Sequence, residues 1–224
     1  MEGEFLLAEQ TLNVGKTHSE RLMPLVDGVL RASGIQREQL QVIAVAAGPG
    51  SFTGIRIGVA TARALAQGLS IPAVGVSTLE AMAEAVHLPG ALVCPLLDAR
   101  RNQVYTALYQ RSGGGAAGLE LLVPPAAVEL EPFVGRLRQH RRQIVFTGEG
   151  LETYGRYLEE TMGEQAVILP PPLRICRAAL VAYCGGRMLQ DRPGLSYREL
   201  LPVYLRRPEA ERRLEEKERS SKCR

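Results

Sequence analysis

Apolar positions recur along this chain in two rhythms, one of helices and one of strands, and the two alternate. Leu22, Leu25, Val26, Val29 and Leu30 are spaced for one face of a helix. That helix opens at Thr17-His18-Ser19-Glu20, where Thr and Glu have capping-box spacing and can satisfy backbone donors reciprocally. Gly34 ends it, and Pro24 inside it predicts a kink. Residues 4–12 (EFLLAEQTL) read as a strand before it, and residues 41–46 as a buried strand after it. A helix over 54–67 with Gly68 as its cap, a strand over 71–76 and a helix capped by Ser77 and running to about residue 86 complete the first half. This β-α alternation predicts a three-layer α/β domain with a largely parallel sheet.

The alternation then restarts. Residues 91–97 and 103–109 read as strands, the glycine-rich 112–118 as a loop, and 119–123 as a third strand. Helix 130–140, strand 143–146 and helix 151–161 follow, and Pro170-Pro171-Pro172 breaks the chain before a long helix at 178–190. The division is therefore a first lobe at 1–89, a second at 90–206, and a charged tail at 207–224, with the boundary near Pro89-Gly90.

Composition narrows the function classes. Hydrophobic residues make up 46% and charged residues 23% of the 224, as in an ordinary globular protein. With no Trp and only 5% aromatic residues, a surface that stacks nucleobases is not expected. The formal charge of +3 belongs to residues 206–224, which hold eight Lys/Arg against five Glu; the rest has nineteen of each sign. Four cysteines without C-x-x-C spacing read as reduced thiols, and no apolar run reaches the ~18 residues of a membrane span. The expectation is a soluble, cytoplasmic protein with no membrane partner.

The loop Gly48-Pro49-Gly50-Ser51-Phe52-Thr53-Gly54 follows a strand and starts a helix, the order of a phosphate cradle. A Walker A loop would need a lysine after the second glycine, and a dinucleotide fingerprint would need glycine at Thr53. An anion site at the helix N-terminus and a structural tight turn both remain open at this level. Along the helix, Gly54, Gly58, Ala62 and Ala66 recur every four residues, leaving a smooth stripe. The stripe serves either close packing within the domain or the docking of a partner helix. His18, His87 and His140 have no metal-ligand spacing, no G-x-S-x-G elbow is present, and Asp98 beside Arg100 and Arg101 is a lone carboxylate. No catalytic residue and no metal ligand is assigned.

Four segments in order, GKTHSERLMPLVDGVL, AAGPGSFTGIRIGVATARALAQGLSIPAVGVSTLEAM, PLLDARRNQVYTALY and LPVYLRRPEAERRLEEK, resemble the bacterial TsaB (YeaZ) family over nearly the whole chain. The resemblance implies two related actin-like (ASKHA) lobes and a scaffold role in making threonylcarbamoyladenosine in transfer RNA. It implies a catalytic TsaD-like partner, a TsaE-like ATPase in the same assembly, homodimers, and contact with transfer RNA through the complex. It implies no cofactor on this chain alone, with ATP or ADP and Mg at the assembled complex. Carried to this sequence, the docking helices bear His18, Arg21, Leu22, Leu25, Val26 and Val29, and Gly54, Gly58, Ala62 and Ala66. Family members begin with a strand and a D-T-S-T-like turn, so the first lobe here is expected to lack an initial β-hairpin of about 20 residues. The alternative is a small ATPase or sugar-kinase-like enzyme of the same superfold, using Asp98; a protease has no nucleophile-base pair to support it.

Overall fold

In the computed structural model, residues 1–3, 5–13, 18–113, 118–191 and 196–206 are described. The side chains of His18 and Ser19, the expected cap at Thr17 and the charged tail lie outside that description. The first lobe runs α1 (His18–Ser33), β1 (Ile43–Gly48), α2 (Phe52–Leu69), β2 (Ala73–Ser77) and α3 (Thr78–Ala83). The second runs β3 (Leu92–Asp98), β4 (Gln103–Arg111), β5 (Leu119–Glu129), α4 (Leu130–Leu137), β6 (Ile144–Thr147), α5 (Leu151–Met162) and β7 (Ala166–Ile168). Helix α6 (Ala178–Asp191) closes the series.

Among the described residues, β1 and β2 form a two-stranded parallel sheet, with Ile43 opposite Ala73 and Ala46 opposite Val76. The strand expected at 4–12 does not join it. Residues 6–13 are irregular, with one isolated bridge from Glu2 to Phe5, and Phe5 is 78% exposed. What holds the segment is polar: Glu9 accepts bonds from the Ala179 amide and the Arg177 guanidinium at the start of α6. The second sheet has the order β5-β4-β3-β6-β7. It is mixed, because β3, β4 and β5 pair as antiparallel neighbours while helices carry the chain to the parallel β6 and β7; the parallel pairing expected of the first half is present in β1 and β2.

Local chemistry explains the boundaries. Ser77 Oγ accepts from the Glu80 amide and caps α3 as expected, though that helix stops at Ala83 and continues only as turns. The cap of α2 is Ser70 in a left-handed conformation (φ 56°), and not Gly68, which lies within the last turn. Strand β5 runs six residues beyond the expected 119–123, through Pro124 and Pro125; these lack ladder donors and are accommodated because β5 is an edge strand.

Leu92, Leu96, Phe133, Phe146 and Leu158 centre the second-lobe core, and Ala47, Ile55, Val59, Ala62, Ala66 and Leu200 the first. Helix α6, counted above with the second lobe, packs on the first: Gly185 lies so close to Ala44 and Val74 that a Cβ there would collide with both. The lobes are further tied by an ion triad around the buried Glu84. Glu84, after α3, binds Arg111 of β4 at 2.7 Å and Arg187 of α6 at 3.1 Å.

Candidate docking surface

The loop at Gly48–Gly54 is a closed turn. Its Gly48-Pro49 peptide is cis, Ser51 Oγ accepts from the Gly54 amide at 3.4 Å, and the Ile55 amide donates to the Ser51 carbonyl at 2.9 Å. The donors that a phosphate would need are thus partly spent on starting α2. The chain after α6 also returns to this loop, where the Val203 amide donates to the Ala47 carbonyl at 2.8 Å. Gly48 has φ 133°, and a Cβ there would run into the Val203 carbonyl, so both conformation and space call for glycine.

Helix α2 turns Ile55, Val59, Ala62 and Ala66 onto its own sheet. Ala62 is 4% and Ala66 0% exposed, so these two members of the smooth stripe are internal core and offer nothing to a partner. Gly54 and Gly58 are partly buried beside them, and a Cβ at Gly58 would rest in ordinary contact with Val45. Small residues here let α2 approach its sheet closely. The outward ridge of α2 is instead Thr53, Arg56, Ala60, Ala64 and Gln67, all exposed. Sequence periodicity alone does not reveal this ridge, since a stripe of period four does not say which side meets the sheet.

Helix α1 is the opposite case. Arg21, Leu22, Leu25, Val26, Val29 and Leu30 are all only partly buried, Met23 is 46% exposed, and no described residue of α1 is buried. A core-facing amphipathic helix of this length ordinarily buries its apolar stripe. Between α1 and α2 lies a groove of about 730 Å³, walled by Met23, Val26 and Leu30 on one side and Ala64, Leu65 and Leu69 on the other. The exposed Asp27–Arg31 pair, 2.8 Å apart, stands on the α1 side.

At the head of α2 is a cluster of residues that sequence reasoning missed. The Arg56 guanidinium lies 3.9 Å from the Phe52 ring centroid, and its Nε donates to the Tyr204 hydroxyl at 2.8 Å. The Phe52 and Tyr204 rings are 5.2 Å apart. Tyr204 arrives from 148 positions away, so only the fold brings it there. Arg, Tyr and Phe clustered at a surface are the residue types that anchor protein interfaces.

Elsewhere the side chains that could do covalent chemistry are quiet. Burial pushes the Cys94 thiol, against a smaller opposing effect of its Thr106 hydrogen bond, and the Cys184 thiol up to about 12, and burial pushes Cys176 to about 11, far from thiolate at neutral pH. Asp98 accepts the Arg100 amide at 2.7 Å, which uses it in the β3–β4 turn. Burial, then the charges of Glu152 and Asp98, raise the Glu149 carboxyl. No helix is long and apolar enough to cross a membrane among the described residues.

Comparison with known proteins agrees with this architecture. The family model for TsaD, tRNA N6-adenosine threonylcarbamoyltransferase, matches residues 7–213. The tRNA threonylcarbamoyladenosine biosynthesis protein TsaB of Bacillus subtilis is 35% identical over 206 residues, covering 92% of this chain and 87% of that protein. Its Escherichia coli K12 namesake is 32% identical over 211 residues, covering 91% and 87%. The solved structure of YeaZ from Pseudomonas aeruginosa superposes with a TM-score of 0.68 at 28% identity, covering 85% of each chain. A second solved structure, described as an uncharacterized protein with similarity to peptidase YEAZ from Pseudomonas aeruginosa, gives 0.70 at 27% and covers 86% of each. These relatives carry the actin-like fold, and this chain, with its two α/β lobes and its AGPGSFTGIR turn, belongs to the TsaB (YeaZ) family.

Proposed function

We propose that this chain is a non-catalytic subunit of the assembly that forms threonylcarbamoyladenosine in transfer RNA, and that it docks a TsaD-like catalytic subunit through α1 and α2. The observation that carries the reading is α1 itself, an amphipathic helix that leaves Leu22, Leu25, Val26 and Val29 partly exposed beside a groove. Apolar surface of that extent is stabilised when a partner covers it. The relatives' names supply the process, and the TsaD model match is consistent with a partner of related fold that presents equivalent helices.

The docking surface consists of Arg21, Leu22, Leu25, Val26 and Val29 on α1 with Thr53, Arg56, Ala60 and Ala64 on α2. Gly54 and Gly58 support it from behind by holding α2 close to its sheet. A second copy of this chain is the competing occupant of the same face, and a TsaE-like ATPase joins the assembled pair. ATP or ADP with Mg belongs to that assembly, and the site of action is the cytoplasm. The raised thiol pKa values and the engaged Asp98 support a scaffold over an enzyme. Calorimetric titration of the cognate TsaD-like protein into this chain tests the reading, and absence of association contradicts it.

A further inference from the structure

The charge balance outside the tail conceals a local excess. Between Glu131 and Glu149 the chain has no acidic residue, while Arg136, Arg138, His140, Arg141 and Arg142 fall within seven positions. Helix α4 ends at Leu137, Arg138–His140 continue as a 3-10 turn, and Arg141 closes the turn in a left-handed conformation (φ 51°). Phe133, Val134 and Leu137 point into the second-lobe core, and all five basic residues are exposed. The apolar side of α4 thus fixes the turn, and the turn spreads its cations over one rim.

Among the described residues none of the four arginines has an acidic partner. Arg136 lies 5.5 Å from the Phe133 ring centroid, and Arg142 donates to the Gly90 carbonyl. Arg138 is engaged through its carbonyl, which accepts from Gln165 at 3.5 Å. Glu164 meets the same rim through its carbonyl, bonded by Gln143 at 3.2 Å. The α4 dipole accounts for a cation or two in its last turn, yet Arg141 and Arg142 lie beyond that turn.

A row of guanidinium groups without acidic partners among the described residues, on an exposed rim, suits a repeating polyanion better than a small anion, which would need a concave site with buried donors. We propose that the Arg136–Arg142 turn contacts the phosphate backbone of RNA directly, so that this chain itself holds part of the transfer RNA. The choice of RNA over other polyanions rests on the function proposed above. The contacts would go to phosphates rather than bases, in keeping with the scarcity of aromatic side chains.

The test is fluorescence anisotropy with transcribed transfer RNA and, separately, heparin, using the full chain alone and with its cognate TsaD-like partner. The variants are Arg138→Gln/Arg141→Gln and, as a tail control, Arg212→Gln/Arg213→Gln. The first double variant is expected to bind transfer RNA about tenfold more weakly at low salt and to lower the slope of log affinity against log salt by about 1.5. Its melting temperature and its association with the partner are expected to be unchanged. Wild-type affinity for RNA in that variant overturns the proposal, as does loss of heparin binding with RNA binding retained, or an equal loss in the tail control. Failure to associate with the partner contradicts the proposed function and leaves the RNA measurement on the chain alone to stand or fall separately.

Discussion

The Val203 amide donates to the Ala47 carbonyl at 2.8 Å, and this one bond joins the end of the described chain to the end of β1. It seats the segment after α6 against Gly48 and carries Tyr204 to Arg56 at the head of α2. The C-terminal segment is therefore part of the first lobe, and the glycine loop is its receptor.

Gly48→Ala is expected to disturb that seat, because it adds a Cβ against the Val203 carbonyl at φ 133°. Strain of about 1–3 kcal/mol is the expected loss. Thermal unfolding should register it, together with weaker partner binding, because α2 begins four residues later.

Ala62→Leu and Ala60→Arg are expected to separate the two sides of α2. Ala62 is buried, so added methylenes overpack the first-lobe core at about 1–3 kcal/mol and lower the melting temperature. Ala60 is exposed, so its arginine variant should melt like wild type and lose partner affinity instead. Equal effects of both on association alone would restore the smooth stripe as the docking face.

Glu84→Gln removes the charge shared by Arg111 and Arg187 at the junction of α3, β4 and α6. Arg111 is then left buried without its counter-charge, at a cost of about 3–5 kcal/mol. Chemical denaturation at neutral pH should show a loss of that order, and a loss below about 1 kcal/mol contradicts the clamp.

Glu9 provides a pH-dependent test of how the N-terminal segment is held. Burial alone would raise its carboxyl, but bonds from Arg177 and the Ala179 amide and the Arg177 charge outweigh this and lower it. A lowered folded value means the stabilisation is complete above the unfolded value of about 4.3 and is lost as pH falls through the folded one. Glu9→Gln should therefore be less stable than wild type by about 1 kcal/mol at pH 7, and the gap should narrow as pH falls below the unfolded value. A gap that stays the same from pH 7 into acid contradicts the linkage.

The order of elements is legible in the sequence because apolar spacing reports burial, and burial here follows the secondary structure. Leu22 to Leu30 mark a real helix, and Ser77 caps α3 by the expected bond. Other features depend on pairing and packing, which spacing does not encode. EFLLAEQTL carries strand-like residues, yet its segment is held by Glu9 on α6 and not by a ladder. Three-residue β7 is too short to leave a period, and Pro124-Pro125 reads as a strand end until β5 is known to be an edge. At the proposed docking surface the apolar stripe of α1 is legible as a helix face, and the run of basic residues at 136–142 is visible in the sequence, while the outward side of α2 and the approach of Tyr204 to Arg56 emerge only once the chain is folded.

The most direct test of the central claim is isothermal titration of the cognate TsaD-like protein into wild type, Leu25→Asp and Ala60→Arg, each first shown by thermal unfolding to be folded. A saturable complex is expected with wild type, and a loss of at least about tenfold in affinity, on the order of 1.4 kcal/mol, for each variant. Wild-type affinity in both folded variants, or no complex with wild type, would contradict it.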